Sequence, residues 1–233
     1  VIDITDATNP TKVGSYDTEG WAYSVAVSGG FAYVADDWDG LRVIDVTDPA
    51  NPTEVGFYDT EGWAYGVAVS GNYVYIADFY SLLVMDVTDP TNPSEVGYCD
   101  TGYGANDVAI SNNYAYVADG WDGLRVVDIT DPTNPHEVGF YDIGDFDFVG
   151  ITVAGNYAYI AGFNDGLRVI DVTDPTNPVE VSYLDTEGYA NDVAISDNHA
   201  YVADDNDGLR IVDITDPNSL SEVGYYNTGV GAQ

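Results

Sequence analysis

Short apolar runs of four to six residues recur along the whole chain, each bounded by Gly, Asp, Asn or Pro, and the i, i+3, i+4 spacing of a helix never takes over. One run, rich in Val, Ile and Leu and followed by Thr-Asp-Pro or a close variant, opens at Val1, Val43, Val84, Val126, Val169 and Ile211, at spacings of 42, 41, 42, 43 and 42 residues. A repeat of this length with four such runs predicts one four-stranded unit, because a helical pair would not carry so much Val, Ile, Thr and Tyr. In the unit read from Tyr65, strand A covers Gly66 to Val69, B Tyr73 to Ala77, C Leu82 to Val87 and D Glu95 to Tyr98.

Turn residues order these strands. All ten prolines fall between C and D, as in Asp48-Pro49-Ala50-Asn51-Pro52, where a preset φ makes a rigid turn and no ladder bond is lost. Asp39-Gly40, Asp122-Gly123, Asp165-Gly166 and Asp207-Gly208 stand between B and C, where Gly readily supplies the positive φ of a tight hairpin. The meander A-B-C-D therefore puts the B–C turns and the D–A links at one end and the proline turns at the other. Strands apolar on both faces suit units stacked face to face.

The predicted fold is all-β: a β-propeller of four-stranded antiparallel blades with a 42-residue repeat, forming a single domain over 1–233. A half blade at 1–16 is followed by five full blades at 17–58, 59–98, 99–141, 142–183 and 184–226, with 227–233 opening the next unit. Six units of 42 would take 252 residues, 19 more than the 233 present and about one A–B pair. A fragment of a six-bladed or longer ring fits that count, and so does a five-bladed ring with two extra strands.

The segments Leu41-Arg42-Val43-Ile44-Asp45-Val46, Leu124-Arg125-Val126-Val127-Asp128-Ile129, Leu167 to Val172 and Leu209 to Ile214 resemble the LVIVD-repeat family of bacterial and archaeal β-propellers, and the likeness runs over essentially the whole chain. The resemblance implies a propeller fold and an extracellular or cell-surface setting, and no particular activity. Leu82-Leu83-Val84-Met85-Asp86-Val87 departs from the pattern by losing the Arg.

Charge narrows the partners. Forty Asp and Glu against five Lys and Arg give a net charge of -35, which repels phosphate backbones and anionic headgroups, so neither nucleic acid nor an anionic membrane is expected. The skew is that of a salt-adapted surface or of one neutralised by bound divalent cations. One cysteine, Cys99, with two histidines, His136 and His199, cannot build the usual zinc cluster. No apolar run reaches the roughly 18 residues of a transmembrane helix, and the chain opens inside a strand, so neither a membrane span nor a signal peptide is expected. There is no Gly-x-Ser-x-Gly elbow, Cys–His pairing or Gly-rich phosphate loop, and the protein is expected not to be an enzyme. An enzyme acting on polysaccharides is the weakest alternative.

Candidate chemistry divides into repeated and unrepeated residues. Asp3, Asp45, Asp86, Asp128, Asp171 and Asp213 close strand C, where their carboxylates are expected to accept bonds from the turn that follows. Arg42, Arg125, Arg168 and Arg210 recur at one position and read as partners of a neighbouring carboxylate in two-point contact. Tyr33, Tyr75, Tyr116, Tyr159 and Tyr201 read as rings between blades.

The loop end gathers Trp21, Trp63, Tyr103, Phe146 and Tyr189 with Trp38, Trp121 and Phe163, interleaved with Asp36, Asp39, Asp119, Asp122, Asp204 and Asp207. Aromatic plates beside carboxylates suit sugar rings or a basic protein segment, whereas their recurrence also suits caps on the blades. The repeat breaks twice. Asp142-Ile143-Gly144-Asp145-Phe146-Asp147-Phe148 offers Asp142, Asp145 and Asp147 as hard oxygen ligands for Ca²⁺, though not at EF-hand spacing. Asp78-Phe79-Tyr80-Ser81 lacks the Asp-Gly pair and presents Phe79 and Tyr80 as an anchor for a partner. The expected function is a non-catalytic binding or scaffold module that presents this face to a glycan or a basic protein, with Ca²⁺ as a candidate support. The rival is a purely architectural repeat without a ligand of its own.

Overall fold

A computed structural model describes residues 1–142, 148–205 and 207–228. Among them there is no helix, and every regular element is a strand. The half unit is β1 (Ile2–Asp3) with β2 (Thr11–Lys12). Blade 1 is β3 (Ser24–Ser28), β4 (Phe31–Ala35), β5 (Leu41–Asp45) and β6 (Thr53–Tyr58). Blade 2 is β7 (Gly66–Ser70), β8 (Tyr73–Ala77), β9 (Phe79–Asp86) and the first part of β10 (Ser94–Ser111). The rest of β10 opens blade 3, which continues through β11 (Tyr114–Asp119), β12 (Leu124–Asp128) and β13 (His136–Tyr141). Blade 4 is β14 (Gly150–Ala154), β15 (Tyr157–Ala161), β16 (Leu167–Asp171) and β17 (Val179–Leu184). Blade 5 is β18 (Ala190–Ser196), β19 (His199–Asp204), β20 (Leu209–Asp213) and β21 (Ser221–Tyr226).

All pairings within the blades are antiparallel between sequence neighbours, as the turn residues predict. One junction differs from the expected run of separate blades. The 18-residue β10 passes from blade 2 into blade 3 without a break, so seven strands share one sheet. The cause is local: the Asp-Thr-Glu-Gly-Trp link of the earlier junctions is replaced by Asp100-Thr101-Gly102-Tyr103-Gly104. Gly102 and Gly104, at φ of 99° and 116°, let the chain swing through a register shift and rejoin the ladder at Ala105, opposite Phe79.

The core lies between blades. Four apolar clusters each combine residues of two successive blades, such as Leu41 and Val43 of blade 1 with Ile76 and Met85 of blade 2. The strand-B tyrosines Tyr33, Tyr75, Tyr116 and Tyr159 are buried in these seams, whereas Tyr201 of blade 5 is only half-buried. Spacing between blades is set by glycines on strand D. A Cβ on Gly14, Gly56, Gly97 or Gly139 would collide with the carbonyl of Pro49, Pro90, Pro132 or Pro175 in the proline turn of the next blade.

The inner strands touch in series, β3 with β7, β7 with β10, β10 with β14 and β14 with β18, and the described residues do not close into a ring. Val25 and Val27 on the leading face of blade 1 are accordingly 61% and 65% exposed, against 6% for the equivalent Val67 in blade 2.

The aspartates that end strand C behave as expected. Asp45 Oδ1 accepts the Thr47 N–H at 2.9 Å and its hydroxyl at 2.6 Å, and the same two-residue bond recurs at Asp3, Asp86, Asp128, Asp171 and Asp213. These bonds hold the Asp45 carboxyl below its ordinary pKa.

Candidate binding site

The loop end of the blades is built on a buried aspartate. Strand B closes with Asp36, Asp78, Asp119 and Asp204 in four of the five blades, and each is nearly or fully buried. In three of them the threonine of the preceding link binds it: Thr18, Thr60 and Thr186 donate their hydroxyls to Asp36, Asp78 and Asp204 at 2.6, 2.7 and 2.7 Å. This corrects the expectation that Asp36, Asp119 and Asp204 line the outer face. They point inward to anchor the links, and the exposed side of the loops is left to the aromatics.

In blades 1, 3 and 5 the recurrent arginine lies beside this buried aspartate. Arg210 lies 3.2 Å from Asp204, 3.4 Å from Glu222 and 3.7 Å from Asp207. Arg125 reaches Asp119, Glu137 and Asp122 at 3.4, 3.5 and 3.8 Å. Arg42 meets Asp39, Asp59 and Asp36 at 3.3, 3.6 and 3.9 Å, and Arg168 meets Glu180 at 2.6 Å and Asp165 at 3.7 Å. Each guanidinium thus spreads over separate carboxylates in place of the expected two-point pair with one. Each also lies over the ring opposite it on strand D: Phe57, Phe140, Tyr183 and Tyr225, at 5.0, 5.4, 5.2 and 5.4 Å. Asp39 and Asp122, expected on the ligand face, are half-buried and engaged with these arginines.

The aromatics form a chain of contacts across blades 1 to 3. Trp38 meets Trp63 edge-on at 5.0 Å, Trp63 meets Phe79 at 4.7 Å, Phe79 meets Tyr80 at 4.9 Å, and Tyr80 meets Tyr103 at 5.4 Å. Trp63 and Phe79 are half-buried and join the blades, whereas Trp38 and Tyr103 are 68% and 70% exposed. Further round, Phe163 stacks on Tyr189 at 4.6 Å, with 13° between planes. Trp21 and Trp121 are exposed. Trp21 and Trp38 share a shallow pocket with Glu19 and Asp37. Phe146, Asp145 and Asp147 lie outside the described residues, so of the expected calcium ligands only Asp142 is described. Among the described residues no group of three or more His, Cys, Asp or Glu side chains is placed to hold a metal ion.

Blade 2 departs from the other blades. Its B–C turn is one residue shorter, closing with the Asp78 N–H donating to the Ser81 carbonyl at 2.9 Å, which accounts for the 41-residue spacing. Phe79 takes φ of 53° there, a position where blade 1 has Asp37 at the same φ. Leu83 replaces the arginine. A pocket of about 860 Å³ opens beside it, with Asp78, Glu95, Tyr98 and Asp100 in its wall. Burial pushes the Asp78 carboxyl up to about 6, against bonds from Thr60 and Gly62 that lower it.

The model of the LVIVD repeat matches residues 1–18, 19–60, 61–101, 102–143, 148–186 and 187–228. The chain belongs to the LVIVD-repeat family. Among solved structures, this LVIVD-repeat protein is similar to a protein from Lactobacillus plantarum, with a TM-score of 0.81, 16% identity and 91% of this chain against 73% of the other. It is also similar to a functionally unknown protein from Desulfotomaculum acetoxidans, with a TM-score of 0.74, 15% identity and coverage of 92% and 72%. The computationally designed Ika8 protein aligns at a TM-score of 0.62 and 10% identity, over 89% of this chain and 76% of its own. No curated protein matches the sequence. These likenesses bear on the fold alone.

The sequence marked the two features of blade 2, the lost arginine and the altered hairpin, as separate departures. Their meeting at one pocket depends on cross-strand register, which places Leu83 opposite Tyr98. A signal was available in sequence, since both departures fall in the same repeat.

Proposed function

We propose that this LVIVD-repeat protein is a non-catalytic binding module whose loop end takes up a basic protein segment, working outside the cell or at its surface as the family resemblance implies. The observation that carries this reading is the chain of aromatic contacts from Trp38 to Tyr103, exposed at both ends and set in a molecule of net charge -35. Aromatic faces attract cations by their quadrupole, and the surrounding field concentrates basic partners. Trp21 and Trp121, 71% and 74% exposed, favour sugar rings as a second occupant, since flat exposed indoles pack on the C–H faces of a glycan. The open faces of blades 1 and 5 support a ring of six or more blades.

Replacing Trp21, Trp38 and Trp121 together by Ala tests the reading, because none of them is part of the buried core. Binding to panels of basic peptides and glycans should fall while the melting temperature holds. Unchanged binding by the triple variant would leave the aromatics as caps on the blades and favour the architectural role.

A further inference from the structure

In four blades a guanidinium lies over a strand-D ring among carboxylates drawn from strand D and from the B–C and D–A loops, and blade 2 keeps the buried aspartate, the strand-D glutamate, the D–A aspartate and the ring but lacks the guanidinium and the B–C aspartate that pairs with it elsewhere. Asp78 stands where Asp36 and Asp204 stand, buried and bonded to its threonine. Glu95 occupies the place of Glu137 and Glu222, Asp100 that of Asp59, and Tyr98 that of Phe57 and Tyr225. The Tyr58 hydroxyl donates to Glu95 at 3.1 Å and fixes it at the pocket wall. Where the arginine would enter, Leu83 ends in apolar packing against blade 1, and the space beyond it is open. Tyr98 is 63% exposed, so its ring is available as a stacking surface.

We infer that the blade 2 pocket is a socket for an incoming guanidinium, the side chain of an arginine on a basic partner, which completes the arrangement that the other blades complete internally. The four internal examples specify the chemistry. A planar cation that reaches several carboxylates at once and stacks on a ring is a guanidinium, and an ammonium does neither as well. The acidic group is therefore more than a solvated patch: the equivalents of Asp78 and of Glu95 each pair with a guanidinium in three blades of the same molecule. A bound cation also relieves Asp78, whose burial otherwise favours its neutral form. Tyr80 and Tyr103 flank the pocket at the end of the aromatic chain, so the socket deepens the reading of the loop end as a site for basic segments and rests on it.

The test is an NMR titration of the whole chain with N-acetylarginine amide, its neutral citrulline counterpart and N-acetyllysine amide at low ionic strength, with Leu83→Arg, Leu83→Met and Asp78→Asn variants. Arginine amide should give saturable shifts centred on Tyr80, Tyr98 and Tyr103, lysine amide weaker ones and citrulline amide none. Leu83→Arg should fill the socket from within, weaken binding at least about tenfold and raise the melting temperature, whereas Leu83→Met should retain binding. Asp78→Asn should weaken binding by a similar factor. Equal shifts from citrulline amide, unchanged binding in Leu83→Arg, or a lower melting temperature for that variant would overturn the socket. A protein that binds basic peptides through Trp38 and Trp121 yet ignores arginine amide refutes the socket alone, and one that ignores both ligands refutes both readings.

Discussion

Asp107 leaves its own blade to hold the next: its Oδ2 accepts the backbone N–H of Ile151 on β14 at 2.9 Å, while Oδ1 accepts the N–H of Val108 at 2.8 Å. Burial pushes its carboxyl up to about 7, against the lowering effect of these two bonds, and Asp192 adds repulsion. Asp107→Ala should cost about 1–3 kcal/mol by leaving the Ile151 N–H without its acceptor. Asp107→Asn, which keeps an amide oxygen, should cost less, as urea melts of the two variants would show.

Stability should fall as pH rises from about 4 to 7. Asp78 is raised to about 6, and Asp107 and Asp119 to about 7, in each case chiefly by burial. A carboxyl raised in the folded state binds its proton there in preference, so its stabilising contribution is complete below the unfolded pKa and is lost through the folded one. The turn aspartates such as Asp45 and Asp131 are lowered by their threonine bonds, and their contribution is lost on going below pH 4. Thermal melts should therefore pass through a maximum near pH 4, and a maximum above pH 7 would contradict the assignment.

Arg125→Met should destabilise the protein by about 2–4 kcal/mol, because it strands the fully buried Asp119 without its cation. The double change Arg125→Met with Asp119→Asn should recover most of that loss. A double variant as unstable as the single would place the effect in packing on Phe140.

Gly139→Ala and Gly224→Ala make a matched pair at one repeat position. The first puts a methyl against the Pro175 carbonyl of the next blade and should cost about 1–3 kcal/mol. Among the described residues the second meets nothing nearer than Ile211 Cδ1 at 3.9 Å, and it should be close to neutral in this chain. Equal losses would rule out the proline turn as the stop that spaces the blades.

A charge of -35 predicts that added NaCl raises the melting temperature until the Debye length falls to a few ångströms near 1 M. Millimolar Ca²⁺ that adds a saturable increment at high NaCl would mark discrete sites, with Asp142 and its link the first place to look. Melting that ignores NaCl would contradict a screened surface.

The blade plan was legible in sequence because each strand repeats the same local signals: prolines confined to one turn, Asp-Gly in another, and apolar residues on both faces. Asp45 and its five counterparts are legible as turn acceptors because their partners lie two residues away. The inward place of Asp36 is not legible, because its partner Thr18 belongs to the preceding link, 18 residues back, and only the stacking of loops brings the two together. The continuous β10 is hidden in sequence for a related reason: Gly102 and Gly104 look like ordinary loop glycines until their pairing context is known.

The short hairpin and missing arginine of blade 2 show what a chain of duplicated modules permits. Because each module leans only on the ones beside it, one copy can drift from the consensus while its siblings keep the framework intact. An internal tether given up by a single copy leaves a vacancy already shaped by its siblings, so a new specificity can arise by loss and need not be assembled residue by residue.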